Sequence, residues 1–282
     1  MAQQAAVEER VKRYILDGGD DDLRRLLTIS QESADMARAG FRRIGVQKGW
    51  TGIDCGCGPI GGLAVMAEML GPDAHIVGVD FNEAAVQQAR TVTSALGLSN
   101  VEVVHGDINE LDSATLGGPF DLAYSRLFLM HQAKPAETMR RIAALLKPGG
   151  WLIAQEPLRT PGPRSHPEVD ALGTYWALLH QVMERAGFPH DSVENLPSSA
   201  REAGLEVVQV SGYFMTLDAR GGFDIHANTL AAARDRTIQS AVASEQEVDS
   251  LLNTLRGARE SEYAWVLSPY FLDLTLRKPM PA

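Results

Sequence analysis

Hydrophobic positions along this chain alternate between short apolar runs and stripes at helical spacing. Val11, Tyr14 and Ile15, then Leu23, Leu26 and Leu27, fall at helical intervals on either side of a break at "DGGDDD", which reads residues 1–47 as helical. "TGIDC" is a short strand run into glycine. Behind it Ile60, Leu63, Ala67 and Leu70 repeat as a helix that ends before Gly71-Pro72. "HIVGVD" predicts a buried strand, Asn82 an N-cap for a helix closing at Gly97, and "VEVVHGD" a third strand. "FDLAYS" is a fourth. Pro135 opens a helix through Met139, Ile142 and Leu146 to "KPGG", and "WLIAQEP" makes a fifth strand.

Strands alternating with helices, each connection long enough for a crossover, indicate an α/β fold with a doubly wound, mostly parallel, Rossmann-like sheet covered on both faces. The pattern then changes. "HPEVDALGTYWALLHQVMERAG" is an apolar-striped helix closed by Gly187 that fits no simple crossover. "LEVVQVSGYFMTL" reads as one long strand and is followed by two helical stretches, the second opened by a capping box of Ser244 and Glu247. "YAWVLSPYFLDLTLRK" ends the chain in another strand. The expected organisation is an N-terminal helical cap over residues 1–47 and a main domain over 48–282, with helical lid insertions at about 160–190 and 221–258.

Composition narrows the partners. The 36 acidic and 26 basic residues give a net charge of −10, which disfavours nucleic acid and anionic membrane and favours a small neutral or cationic substrate. The N-terminus lacks the basic-then-apolar pattern of a signal peptide, and no run of about 18 apolar residues appears, so a soluble cytoplasmic protein is expected. Cys55 and Cys57 are too close for an unstrained disulfide and lack a second cluster for zinc. They read as small reduced packing residues, and no metal is expected. The helical arm before "DGGDDD" is a candidate for exchange between subunits of a homo-oligomer.

"DCGCGPIGGL" carries the candidate chemistry. From Gly56 it spells G-x-G-x-x-G, and a glycine turn between strand and helix lets ligand atoms approach the backbone with helix N–H groups pointing at them. Nucleotides and nucleosides both use such a turn. Asp54 stands two residues ahead of Gly56, where a dinucleotide fingerprint has an apolar strand; an acidic charge there suits a cationic ligand better than a pyrophosphate. Asp80 ends the second strand, where a carboxylate accepts hydrogen bonds from ribose hydroxyls. An NAD-dependent oxidoreductase remains a competing reading on the literal glycine motif, and a cofactor-binding scaffold without turnover is a third.

"GIDCGCGPIG" resembles the first motif of class I S-adenosylmethionine-dependent methyltransferases, although that family's usual spacing is G-x-G-x-G, whereas here Pro59 and Ile60 separate Gly58 from Gly61. "VGVD", "HGDI", "FDLAYSR" and "LLKPGGWLIAQEP" resemble the motifs that follow, and the likeness covers residues 48–157, with "LEVVQV" and "FLDLTLRK" fitting the family's antiparallel hairpin. The resemblance implies a seven-stranded sheet with an antiparallel C-terminal strand. It implies S-adenosyl-L-methionine as cofactor and S-adenosyl-L-homocysteine as product, held by Asp54, Gly56, Cys57, Gly58, Asp80, Phe81, Gly106, Asp107, Ile108, Ser125 and Arg126. In that scheme Asp107 meets the adenine amino group with Ile108 beside the ring, while Ser125 and Arg126 lie near the methionine end. The N-terminus looks like the leader of actinobacterial small-molecule methyltransferases, in which an aromatic such as Tyr14 folds over the adenine.

Methyl transfer is mainly a positioning problem, with a base needed only for a neutral acceptor. His131 and Glu156 are the candidate catalytic side chains, and Tyr175, Trp176, His180 and Phe188 the candidate substrate contacts, with His190 beside them. The expected acceptor is a small molecule, a secondary metabolite methylated on O, N or C; C-methylation of a prenyl or terpenoid group would draw on aromatic faces.

Overall fold

Parallel pairing of buried strands organises the centre of the molecule. A computed structural model describes residues 20–188 and 191–281 of the chain. The elements in order are α1 (Asp20–Glu32), α2 (Ala34–Arg43), β1 (Gly52–Cys55), α3 (Leu63–Leu70), β2 (Ile76–Asp80), α4 (Glu83–Ala95), β3 (Val101–His105), β4 (Phe120–Arg126), α5 (Pro135–Leu145) and β5 (Leu146–Pro157). There follow β6 (Arg164–His166), α6 (Asp170–Arg185), α7 (Leu196–Glu202), β7 (Glu206–Tyr213), β8 (Thr216–Asp218), α8 (Ala219–Gln239), α9 (Glu245–Ala258), β9 (Trp265–Leu267) and β10 (Phe271–Arg277).

Seven strands form one sheet in the order β3-β2-β1-β4-β5-β10-β7, mostly parallel, with an antiparallel C-terminal strand. The register sets Ile53 against Val77 and Ala123, and Asp54 against Gly78 and Tyr124, so β1 is an interior strand with both edges paired. All four β1 residues are buried, as a strand covered on both faces requires. The helix α3 buries Leu63, Met66 and Leu70 completely, each worth about 1.5–3 kcal/mol of burial. The expected caps are present. Asn82 Oδ1 accepts from the Ala84 and Ala85 N–H groups at the start of α4, Pro135 opens α5, and Ser244 and Glu247 form a reciprocal capping box on α9.

By packing, the chain divides into two compact units. Among the described residues, the core unit comprises 33–156, 192–212 and 272–281, and the cap unit 20–32, 157–188, 191 and 213–271. Within the cap unit α8 packs against α1, α6 and α9. A three-stranded sheet, β6-β9-β8, also belongs to it and pairs antiparallel throughout. No helix among the described residues is long and apolar enough to cross a membrane.

The structure corrects the sequence reading at three places. "LEVVQVSGYFMTL" is two strands, β7 in the large sheet and β8 in the small one, and "YAWVLSPYFLDLTLRK" likewise divides into β9 and β10. The two breaks meet: Ser268 N donates to Met215 O at 2.9 Å, and Met215 N donates to Ser268 Oγ at 2.9 Å, while Pro269, which has no N–H, follows at once. Second, "KPGG" belongs to β5 as an irregularity in its pairing with β4 rather than a turn before it. Third, α7 and β6 were not foreseen; both are short, and neither carries a clear period. The candidates Tyr14 and His190 and the proposed N-terminal exchange arm lie outside the described residues.

Candidate active site

The C-terminal ends of β1, β2, β3, β4 and β5 bring most of the candidate residues together, at the edge where open α/β sheets bind ligands. The loop from Gly56 to Gly62 lies there with four of its backbone N–H groups already committed. Gly56 N and Cys57 N both donate to Val79 O, at 2.8 and 3.0 Å. Gly58 N donates to Asp80 Oδ2 at 2.8 Å, and Gly62 N to Asp54 Oδ2 at 2.6 Å. The N–H groups expected to face a ligand are thus turned onto the neighbouring strand and onto two carboxylates. Gly61 is required sterically: its φ is +45°, and a Cβ there would stand 2.4 Å from Asp54 Oδ2 and 2.6 Å from Cys57 O.

Asp54 is buried beneath this loop. Burial pushes its carboxyl up to about 7, against the opposing pulls of the Gly62 N–H and the Arg126 guanidinium. Arg126, 8% exposed, donates through Nη2 to Gly61 O at 3.2 Å, so it grips the loop from the other side. Cys57 is buried, and its Sγ donates to Gly58 O at 3.4 Å; both cysteines are free thiols whose ionisation burial opposes.

Asp80 is partly exposed at the end of β2, where burial raises its carboxyl above the ordinary value. Its Oδ1 accepts from Asn82 N at 2.9 Å and its Oδ2 from Gly58 N. A carboxylate has about four lone-pair sites, so capacity remains for a pair of hydroxyls. Phe81 O lies 3.0 Å from a ring nitrogen of His105, and Gly106 N donates to Asp80 O at 2.9 Å, fastening the end of β3 to that of β2. Asp107 Oδ1 accepts from both the backbone and the side-chain nitrogen of Asn109, at 2.9 Å each, which makes an Asx turn, and Ile108 beside it is buried.

Glu156, at the end of β5, turns out to hold backbone. Its Oε1 accepts from Phe128 N at 3.1 Å, Leu129 N at 2.8 Å and Ser125 Oγ at 3.4 Å, and its Oε2 from Met130 N at 3.5 Å. Burial pushes this carboxyl up to about 7 despite those donors. The turn it anchors begins at Leu127, a non-glycine residue with φ of 53°, and ends in a 3-10 turn at Leu129–His131, where His131 is half-buried. Phe128 lies against Gly56: a Cβ on that glycine would come within 2.3 Å of the ring. Phe128 has no signal in the sequence as a site residue, because its role depends on a contact with a loop some seventy positions earlier.

The other group of candidates belongs to the cap unit. Tyr175, Trp176 and His180 lie on α6, with Phe188 just beyond its end. Tyr175 and Phe188 are buried, and Trp176 meets His180 edge-on with ring centroids 4.7 Å apart. His226 on α8, which the sequence reading did not single out, lies 5.3 Å from the Tyr175 ring, and neither of its ring nitrogens has a partner among the described residues.

Comparison with known proteins bears on what this edge does. A family model described as "Methyltransferase domain" matches residues 47–204, more than half of the chain. The chain is 28% identical over 176 residues to an uncharacterized 37.1 kDa protein in transposon TN4556 of Streptomyces fradiae, covering 62% of this chain and 50% of the relative. It is 34% identical over 107 residues to a demethylmenaquinone methyltransferase of Listeria monocytogenes serotype 4a, covering 38% and 44%. The matched stretches span about half the length of these relatives. Among solved structures, the [4+2]-cyclase SpnF shares the fold with a TM-score of 0.56 at 22% identity, covering 88% of this chain and 82% of that one.

Proposed function

This chain belongs to the methyltransferase-domain family, and on that premise we propose that it transfers a methyl group from S-adenosylmethionine to a small molecule. One observation carries the reading. Asp54 and Asp80 accept from the Gly62 and Gly58 N–H groups that a dinucleotide-binding turn would offer to pyrophosphate, and they set two carboxyl groups where phosphate would need donors. That arrangement supports a donor without phosphates that bears positive charge, and it counts against the NAD-dependent alternative.

When bound, S-adenosylmethionine supplies an electrophilic methyl carbon on a sulfonium that leaves as a neutral thioether. The chain's own task is to hold and align. Asp80 would bind the two ribose hydroxyls with the lone pairs left over from Gly58 and Asn82. Asp107 and Ile108 would meet the adenine, and the Gly56–Gly58 turn the methionine portion. Asp54, Arg126, Ser125 and Glu156 would act one step back, as the braces of those loops. Where the acceptor carries a proton, we assign its removal to His131 rather than to Glu156, whose two oxygens face backbone N–H groups. The acceptor we propose is a secondary metabolite, methylated on O, N or C. Alignment of nucleophile, methyl and sulfur contributes up to about 7–11 kcal/mol in the best cases.

The test is calorimetric titration with S-adenosylmethionine, S-adenosylhomocysteine and NAD side by side. Micromolar binding of the first two and none of NAD is expected; binding of NAD alone overturns the reading. Because a structure with this fold bears the name of a cyclase, turnover is then read separately, as methyl mass gained by an acceptor.

A further inference from the structure

One cavity of about 320 Å³ lies wholly within the cap unit, inside the size range of small-molecule sites. Its wall combines the 159–164 segment with one face of α6, and Arg159, Pro161, Pro163, Arg164, Trp176 and His180 give it its chemistry. Three features are unusual together. No acidic side chain is among the described residues lining it, although the chain as a whole carries a charge of −10. Arg159 pairs with Glu184, but Arg164 makes no ion pair with any described residue and lies instead 5.9 Å over the Phe214 ring. His180 is 8% exposed, and its Nε2 has no hydrogen-bond partner among the described residues.

Each feature selects a part of a ligand. Burial and the nearby Arg159 guanidinium push His180 down to about 4, so it is a neutral imidazole near pH 7, able to exchange a hydrogen bond with a hydroxyl. A buried imidazole nitrogen without a partner among the described residues is unfavourable, and a ligand hydroxyl would satisfy it. The Trp176 indole is held in place by its Nε1 donating to Arg159 O at 2.7 Å, and it offers a flat apolar wall. Arg164 presents a planar fork of donors suited to a carboxylate.

We propose that this cavity binds a compact aromatic carboxylate bearing a ring hydroxyl, with the carboxylate on Arg164, the ring along Trp176 and the hydroxyl on His180. A ring hydroxyl is also one chemical class of methyl acceptor, and that link to methyl transfer rests on the reading proposed above. The overall acidity of the chain therefore does not set the charge preference of its pocket; the local guanidinium does.

The experiment titrates the full chain with 4-hydroxybenzoate, benzoate and phenol, following tryptophan fluorescence and heat, and measures S-adenosylmethionine binding on the same samples. We expect 4-hydroxybenzoate to bind about tenfold or more tightly than either truncated analogue. Arg164→Met should remove the advantage over phenol, and His180→Leu the advantage over benzoate, with cofactor affinity unchanged in both as evidence of intact folding. Equal affinity for the three compounds, no binding of any of them, or indifference to both substitutions overturns the site. Intact cofactor binding alongside any of those results leaves the methyltransferase reading in place. The converse, aromatic binding without cofactor binding, removes that reading and keeps the pocket.

Discussion

The core and cap units treat their buried polar groups in opposite ways. In the core, Asp54 and Glu156 are enclosed by the loops they serve and Asp80 is partly exposed beside its own, and the oxygens of all three accept from backbone N–H groups at the edge of the sheet. In the cap, His180 Nε2 and both nitrogens of His226 are buried with no partner among the described residues. The core carboxylates determine loop shape, so the site they frame is preorganised by the chain itself. The cap imidazoles retain hydrogen-bonding capacity at a cost to stability of about 1–3 kcal/mol each, and such capacity is informative about ligands rather than about folding.

This comparison is most severely tested at Gly61. Gly61→Ala should destabilise the chain by about 2–5 kcal/mol, from left-handed backbone strain and overlap with Asp54 and Cys57, measured by urea unfolding. Wild-type stability would mean that Asp54 does not pin the loop. A somewhat smaller effect is expected for Asp80→Ala, which should weaken S-adenosylmethionine binding by about 1.5–3 kcal/mol in calorimetry. Undiminished affinity would remove Asp80 from the cofactor site and leave it a brace for Gly58.

The two units also differ in the sign of their pH dependence. Glu156 is raised from 4.5 to about 7, so the folded chain holds a proton that the unfolded chain releases. Its contribution is complete below about pH 4.5 and is lost as the pH rises through about 7. Glu156→Gln keeps an acceptor for the Phe128 and Leu129 N–H groups but cannot ionise. The fall in unfolding free energy over that window should become shallower, by at most about 1.4 kcal/mol per pH unit; an unchanged slope would show that Glu156 does not titrate there. His226 is lowered from 6.5 to about 4 by burial, so its contribution is present above about pH 6.5 and lost as the pH falls through about 4. His226→Leu should therefore stabilise the cap by about 1 kcal/mol at neutral pH, through removal of two nitrogens that have no partner among the described residues, and by more at pH 5. A loss of stability at both pH values would indicate that His226 already has a partner in the folded protein.

Much of the fold was legible in advance because its signals are short-range. Asn82, Pro135 and the Ser244–Glu247 pair act on N–H groups within a few residues of themselves, and each begins a helix where expected. The alternation that gives the parallel sheet is equally local, and so is the placement of Asp54, Asp80 and Asp107 at strand ends. The roles of these side chains were less legible. Arg126 was expected near the methionine end of a cofactor, and its guanidinium bonds to Gly61 O, a partner 65 residues away. Glu156 was a candidate base, yet it holds the turn at 128–130.

The sequence by itself determined the fold class, the succession of the central strands along the chain, the helix starts marked by caps and the set of acidic residues at the C-terminal edge of the sheet, since period, capping and glycine turns depend on neighbours in the chain. Only the tertiary structure decided which atoms those acids bind, where the long apolar runs divide between two sheets at Met215 and Ser268, and which cap histidine nitrogens lack a partner among the described residues. Those outcomes depend on groups tens of residues apart being brought within about 3 Å, and no local pattern of apolar and polar positions specifies such a meeting.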